Sequence, residues 1–90
     1  MKLAMFTTKE QYLEWLRGQL EYAEKAHKLR IEEYEMAKTD KVYRRNWMAM
    51  NHIDETRDDV WAEHLDWMWG AVKCAARKIS KIRRQIRNVQ

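Results

Sequence analysis

Glu24-Lys25-Ala26-His27 is a Glu-x-x-His tetrapeptide. On a helix this spacing brings a carboxylate and an imidazole onto one face. Di-metal helical bundles build their centres from such pairs on inward faces. A second copy of the chain would duplicate the pair, and an acid such as Glu63 from another helix would extend the ligand set. A polar histidine at a seam position more often fixes register or lies partly exposed, and such a tetrapeptide is common by chance. His52 and His64 have no partner at ligand spacing, and Cys74 and His64 are ten residues apart, a poor spacing for a nucleophile and its base. The chain contains no phosphate-cradling glycine loop, no G-x-S-x-G and no H-E-x-x-H. The expectation is a non-enzyme without cofactor, metal or small-molecule substrate. A di-metal bundle enzyme using Glu24 and His27 stands as an alternative.

The charged residues are segregated. Residues 54–69 hold Asp54, Glu55, Asp58, Asp59, Glu63 and Asp66 against Arg57 alone, a net of −5. Residues 70–90 hold Lys73, Arg77, Lys78, Lys81, Arg83, Arg84 and Arg87 with no acid, a net of +7. A helix dipole favours acids at its start and bases at its end, but only over the terminal turns. The basic stretch covers about four turns. Lys73/Arg77, Arg77/Lys81 and Arg83/Arg87 are like-charge pairs four apart, each mildly destabilising on an isolated helix. Such a run is more comfortable beside an anionic surface. Nucleic-acid phosphates, an acidic protein, membrane headgroups and the acidic segment of a second copy all qualify. A solvated basic face is the plain alternative. No helix-turn-helix, zinc-finger or basic-zipper pattern accompanies the run.

Five tryptophans, Trp15, Trp47, Trp61, Trp67 and Trp69, serve either core packing or recognition. Trp67 and Trp69 are two apart on one helix and face different directions, so they cannot both enter one seam. One of them is expected to meet a second chain or a foreign partner.

The elements that carry these residues follow from composition and periodicity. Ninety residues with no proline, two glycines and 36% charge suit one soluble helical domain. The lone Cys74 forms no intrachain disulfide, the N-terminal apolar stretch is too short for a signal-peptide core, and no window suits a membrane span. A cytoplasmic setting is the expectation. Helices are predicted over about 8–38, 41–53 and 57–88. Thr7 and Glu10 form a capping box at the first, Lys38-Thr39-Asp40 is the first break, and Thr56 and Asp59 form a weaker box at the third. The first helix carries a stripe at Leu13, Leu16, Leu20, Ala23, His27, Arg30, Tyr34 and Ala37, apolar at first and then degrading.

The clearest pattern lies in the third helix. Trp61, Leu65, Met68, Val72, Ala75, Ile79, Ile82, Ile86 and Val89 recur at alternating steps of four and three. With Trp61 at heptad position d, the a positions are Leu65, Val72, Ile79 and Ile86. Gly18 and Gly70 fall at outward f positions. Between Trp61 and Ala76 this helix is apolar on several faces and needs several neighbours. The fold class is therefore all-α, a long helical hairpin or three-helix bundle with a coiled-coil-like C-terminal helix. Trp61, Leu65, Trp67, Met68, Trp69, Val72, Ile79, Ile82 and Ile86 are the expected protein interface of a homodimer.

Size, helicity, a Trp-rich face and a basic tail together resemble, in style and through no motif, small accessory or inhibitor proteins that phages encode. Some of those block nucleic-acid-handling complexes, CRISPR effectors included. The resemblance implies, as an alternative function, docking on such a complex through Trp67 or Trp69. The leading expectation is a self-associating interaction protein that presents its basic C-terminal helix to nucleic acid or an acidic partner.

Overall fold

The computed structural model describes residues 8–90 and contains three helices among them, with no strand: α1 (Lys9–Thr39), α2 (Lys41–Met50) and α3 (Asp58–Val89). None of these helices is long and apolar enough to cross a membrane. At the start of α1 the Thr8 hydroxyl accepts a hydrogen bond from the Gln11 backbone N–H at 3.1 Å. The cap is thus Thr8, one residue later than the sequence box suggests, and Thr7 lies outside the described residues.

Asp40 alone separates α1 from α2. Its extended backbone breaks the helix, and its carboxylate accepts from the N–H groups of Val42 and Tyr43 at 2.8 and 3.3 Å. α2 stops at Met50 rather than continuing to Ile53. There the Asn51 side chain donates to the Trp47 carbonyl, and His52 takes a left-handed φ of 57° that ends the helical path. The Thr56/Asp59 box does not form. Thr56 turns back to the Asp54 carboxylate, and Arg57 occupies the cap position of α3 without a side-chain cap bond.

α1 and α3 run antiparallel. Glu24 meets Arg83, and ten residues further along α1 Tyr34 meets Trp69, fourteen residues back along α3. The α1–α2–α3 connections form the tip of this hairpin, and the start of α1 and the end of α3 form its open end. Two apolar clusters hold it together. Leu16 and Ala23 pack with Ile79 and Ile82 toward the open end. Ala37, Met48, Trp61 and Met68 bring all three helices together at the tip. The stretch between them on α1 is where the stripe turns polar, at His27 and Arg30.

The α3 stripe predicted as a seam for a second chain therefore packs against α1 of the same chain. Trp61, Met68, Val72, Ile79 and Ile82 are buried, and Leu65, Ala75, Ile86 and Val89 are half-buried. The physical reason is that α1 brings its own stripe at matching three-and-four spacing, and a covalent tether makes it the nearest partner. The result is a rod of 57 × 19 × 18 Å with a radius of gyration of 18.5 Å. A globule of this length would have a radius near 12 Å.

Candidate functional site

The basic residues of α3 are spread over its outer arc and onto both flanks of the hairpin. Lys73, Arg77, Lys78, Lys81, Arg83, Arg84 and Arg87 are all exposed. Arg83 donates to the Glu24 carboxylate at 3.0 Å, across to α1. Among the described residues the other six form no ion pair. The acids expected as their counterparts are largely engaged at the opposite end of the rod. Asp58 accepts from Arg44, Asp59 from Arg57 in a two-pronged contact at 3.0 Å, and Glu55 lies 3.8 Å from Arg45. The hydrogen bond from Arg57 holds the Asp59 carboxyl down at about 2.

Toward the open end, Trp15 and Gln19 of α1 and Arg77, Lys78, Lys81, Ile82 and Gln85 of α3 line a shallow groove of about 440 Å³. An indole beside three cations is a chemically suitable wall for an aromatic ligand that also bears negative charge. Trp15 itself stacks with Tyr12, centroids 6.1 Å apart.

At the tip, aromatic rings converge from α2 and α3. Trp47 lies flat on His64, His64 stacks with Trp67, and the Trp61 ring meets both Trp47 and His64. Arg44 sits over the Trp61 ring at 5.7 Å. Burial holds the His64 imidazole below its ordinary pKa, and the nearby Glu33 carboxylate opposes that in part. Glu33 accepts from the Tyr43 hydroxyl at 3.4 Å; burial first, then this carboxylate, raises the phenol.

No family model matches the chain, and no curated protein or solved structure is significantly similar to it. Its function is argued from these surfaces alone.

The structure treats the sequence-predicted residues unequally. It leaves all seven basic residues exposed on α3, divided between its outer face and both flanks. It places Trp61, Met68, Val72, Ile79 and Ile82 in the intrachain core, with Leu65 and Ile86 half-buried beside it. Trp67 is left exposed, and Trp69 is partly covered by Tyr34 at 5.2 Å. Glu24 and His27 line an open groove with Ser80 and Arg83, and Glu24 is already committed to Arg83. Among the described residues no three His, Cys, Asp or Glu side chains gather as metal ligands. Sequence reasoning weighs His64 only as a ligand or a base and misses its place in the ring stack. The readable signal is Trp61, His64 and Trp67 at three-residue intervals, which puts three flat rings along adjacent turns of one helix.

Proposed function

We propose that this chain is a non-enzymatic, self-associating interaction protein that presents the outer surface of α3 to nucleic acid. The observation that carries the reading is the set of six exposed cations on α3 with no ion-pair partner among the described residues. From Lys73 to Arg87 they span about 21 Å of helix. Duplex nucleic acid offers a phosphate charge about every 1.7 Å of its axis, so a rod of this length can meet several at once. The like-charge repulsion along α3 is relieved in that contact, as counterions leave the phosphates. Readout of this kind engages backbone rather than base edges, so low sequence preference is expected.

Titration of labelled DNA and RNA at two salt concentrations tests the reading. The logarithm of the affinity is expected to fall with the logarithm of salt by about 0.9 per duplex phosphate engaged. Arg84→Glu together with Arg87→Glu is expected to weaken binding while leaving helicity unchanged. Absence of binding at low salt would reject nucleic acid. Capture of an acidic protein, insensitive to nuclease, would move the basic surface to that partner.

A second reading, a small inhibitor docking on a nucleic-acid-handling complex, is favoured by one observation. Trp69 keeps 45% of its surface exposed on the flank that also carries the exposed Ile31. Indoles in that state are frequent anchors of protein interfaces.

A further inference from the structure

The two flanks of the α1–α3 hairpin differ in chemistry. Heptad positions e and b of both helices share one flank. It carries Glu21, Glu24 and Lys28 of α1 with Lys73, Arg83 and Arg87 of α3, and the Glu24–Arg83 pair bridges it. Positions g and c share the other. There α1 presents Trp15, Tyr22, Leu29 and Met36 at seven-residue intervals, and α3 presents Trp67. The grooves on this flank show that the two helices meet there. Trp15 and Gln19 line one with Lys78 and Lys81, and Arg30 and Glu33 line another with Trp67 and Ala71.

α2 begins to cover this second flank. Its Tyr43 reaches Glu33, and its Trp47 stacks on His64, both at g positions near the tip. At ten residues α2 covers about 15 Å of a hairpin whose long helices run about 47 Å. The apolar residues that α2 leaves uncovered lie open: Tyr22 is 69% exposed, Leu29 64%, Trp67 68% and Met36 50%. Alanines at g positions, Ala26 and Ala71, put little side-chain bulk between the helices, which leaves room for another helix to approach. A two-helix layer with an apolar outer stripe normally packs against a second layer, and α2 supplies only a fragment of one.

We infer that this flank docks a second copy of the chain, antiparallel to the first. The charge on the flank selects that occupant and its direction. Lys78 and Lys81, bordered by Arg77, lie toward the open end. Glu33, bordered by Glu32 and Glu63, lies toward the tip, and these three acids outnumber Arg30, which lines the same groove. The two α2 arginines at the tip are already neutralised, Arg44 by Asp58 and Arg45 by Glu55. A two-fold axis that reverses the partner sets each cationic end over the other's acidic end, whereas a parallel partner sets like on like. The inference rests on the self-association reading above; it sets Lys78 and Lys81 in the contact between copies and leaves Lys73, Arg84 and Arg87 outside it for an anion.

Sedimentation across a micromolar dilution series tests it, with the full chain. The expected mass is twice the 11.1 kDa of one chain. Tyr22→Lys with Leu29→Lys is expected to return the mass to 11.1 kDa with unchanged helicity, since both side chains are exposed in the single hairpin. Ile31→Lys, on the opposite flank and 37% exposed, is expected to leave the dimer intact. A wild type of 11.1 kDa at every concentration would overturn self-association itself. A dimer that survives the double variant but dissociates with Ile31→Lys would keep self-association and overturn this flank. Direction is read from spin labels at Asn88→Cys in a Cys74→Ala background. An antiparallel pair holds the labels more than about 30 Å apart, and a short distance would overturn the antiparallel assignment.

Discussion

The imidazole of His64 lies against the indole of Trp47, centroids 4.0 Å and planes 23° apart, and this contact joins α2 to α3. On its other side His64 stacks with Trp67 at 5.9 Å, planes 16° apart. A helix of ten residues does not hold itself in water. α2 persists because its ends and its inner face are fixed. Asp40 caps its start, Met48 is fully buried beneath it, and Trp47 inserts into the ring ladder of α3.

The His64 stack makes stability depend on pH in a defined direction. The folded protein holds this imidazole below its ordinary value of 6.5, chiefly through burial. Between the folded value and 6.5 the unfolded chain binds more protons than the folded one, so stability falls as pH falls. The full contribution is present above 6.5 and is lost progressively below it. Urea unfolding midpoints from pH 8 to pH 5 are expected to decline through that window. His64→Phe keeps a flat ring between Trp47 and Trp67 without the titrating proton. It is expected to flatten the decline, and a slope unchanged in that variant would assign it to other groups.

The tip is expected to loosen before the rest of the rod. Met48 is fully buried among Ala37, Trp61 and Met68, and Met48→Ala is expected to cost about 2–5 kcal/mol. Asp40→Ala removes the acceptor for two backbone N–H groups and is expected to cost about 0.5–2 kcal/mol. Hydrogen exchange would locate both effects. Faster exchange in residues 41–50 with protection kept around Ile79 and Ile82 is the expected pattern. Uniform loss along the rod would mean that the two apolar clusters melt as one.

Regular periodicity was the legible part of this fold. The α3 stripe from Trp61 to Val89 and the first half of the α1 stripe locate every buried residue of the open end. The Asp40 break was readable because aspartate caps better than it continues a helix. What periodicity cannot supply is the identity of the neighbour. A seam of heptad quality fits its own α1 or a second chain equally well, and the choice depends on α1 carrying a matching stripe. The end of α2 depended on the backbone of His52, a residue type with no strong terminating preference. The basic surface was legible as a run of charge. The aromatic ladder was hidden, because its fourth ring, Trp47, comes from another helix.

Gly18 and Gly70 offer the reverse experiment, a gain. Both lie inside long helices, and an added Cβ at either would meet nothing within 4 Å. Neither needs a positive φ. Alanine at either position is expected to stabilise by about 0.4–1 kcal/mol, because it restricts the unfolded chain and favours helix. Thermal melting of the single and double variants checks this, and additivity is expected for sites on separate, outward positions. Loss of stability at either would show that the outer face there is occupied.

Ile79 decides whether the α3 stripe serves the chain itself or a neighbour. It is 7% exposed and packs with Leu16, Ala23 and Ile82 inside one hairpin. Ile79→Asp puts a carboxylate among these apolar side chains, beside a groove whose Arg83 is already paired with Glu24, at a cost of several kcal/mol. A hairpin this thin has little stability to spare, since a small chain buries a modest share of its surface. Loss of helicity is therefore expected. If the stripe instead served contact between chains, the same substitution would leave a helical monomer of 11.1 kDa. Circular dichroism and sedimentation of the one variant separate the two outcomes. Tyr22→Lys with Leu29→Lys supplies the contrast, because there the expectation is reversed: helicity retained and association lost.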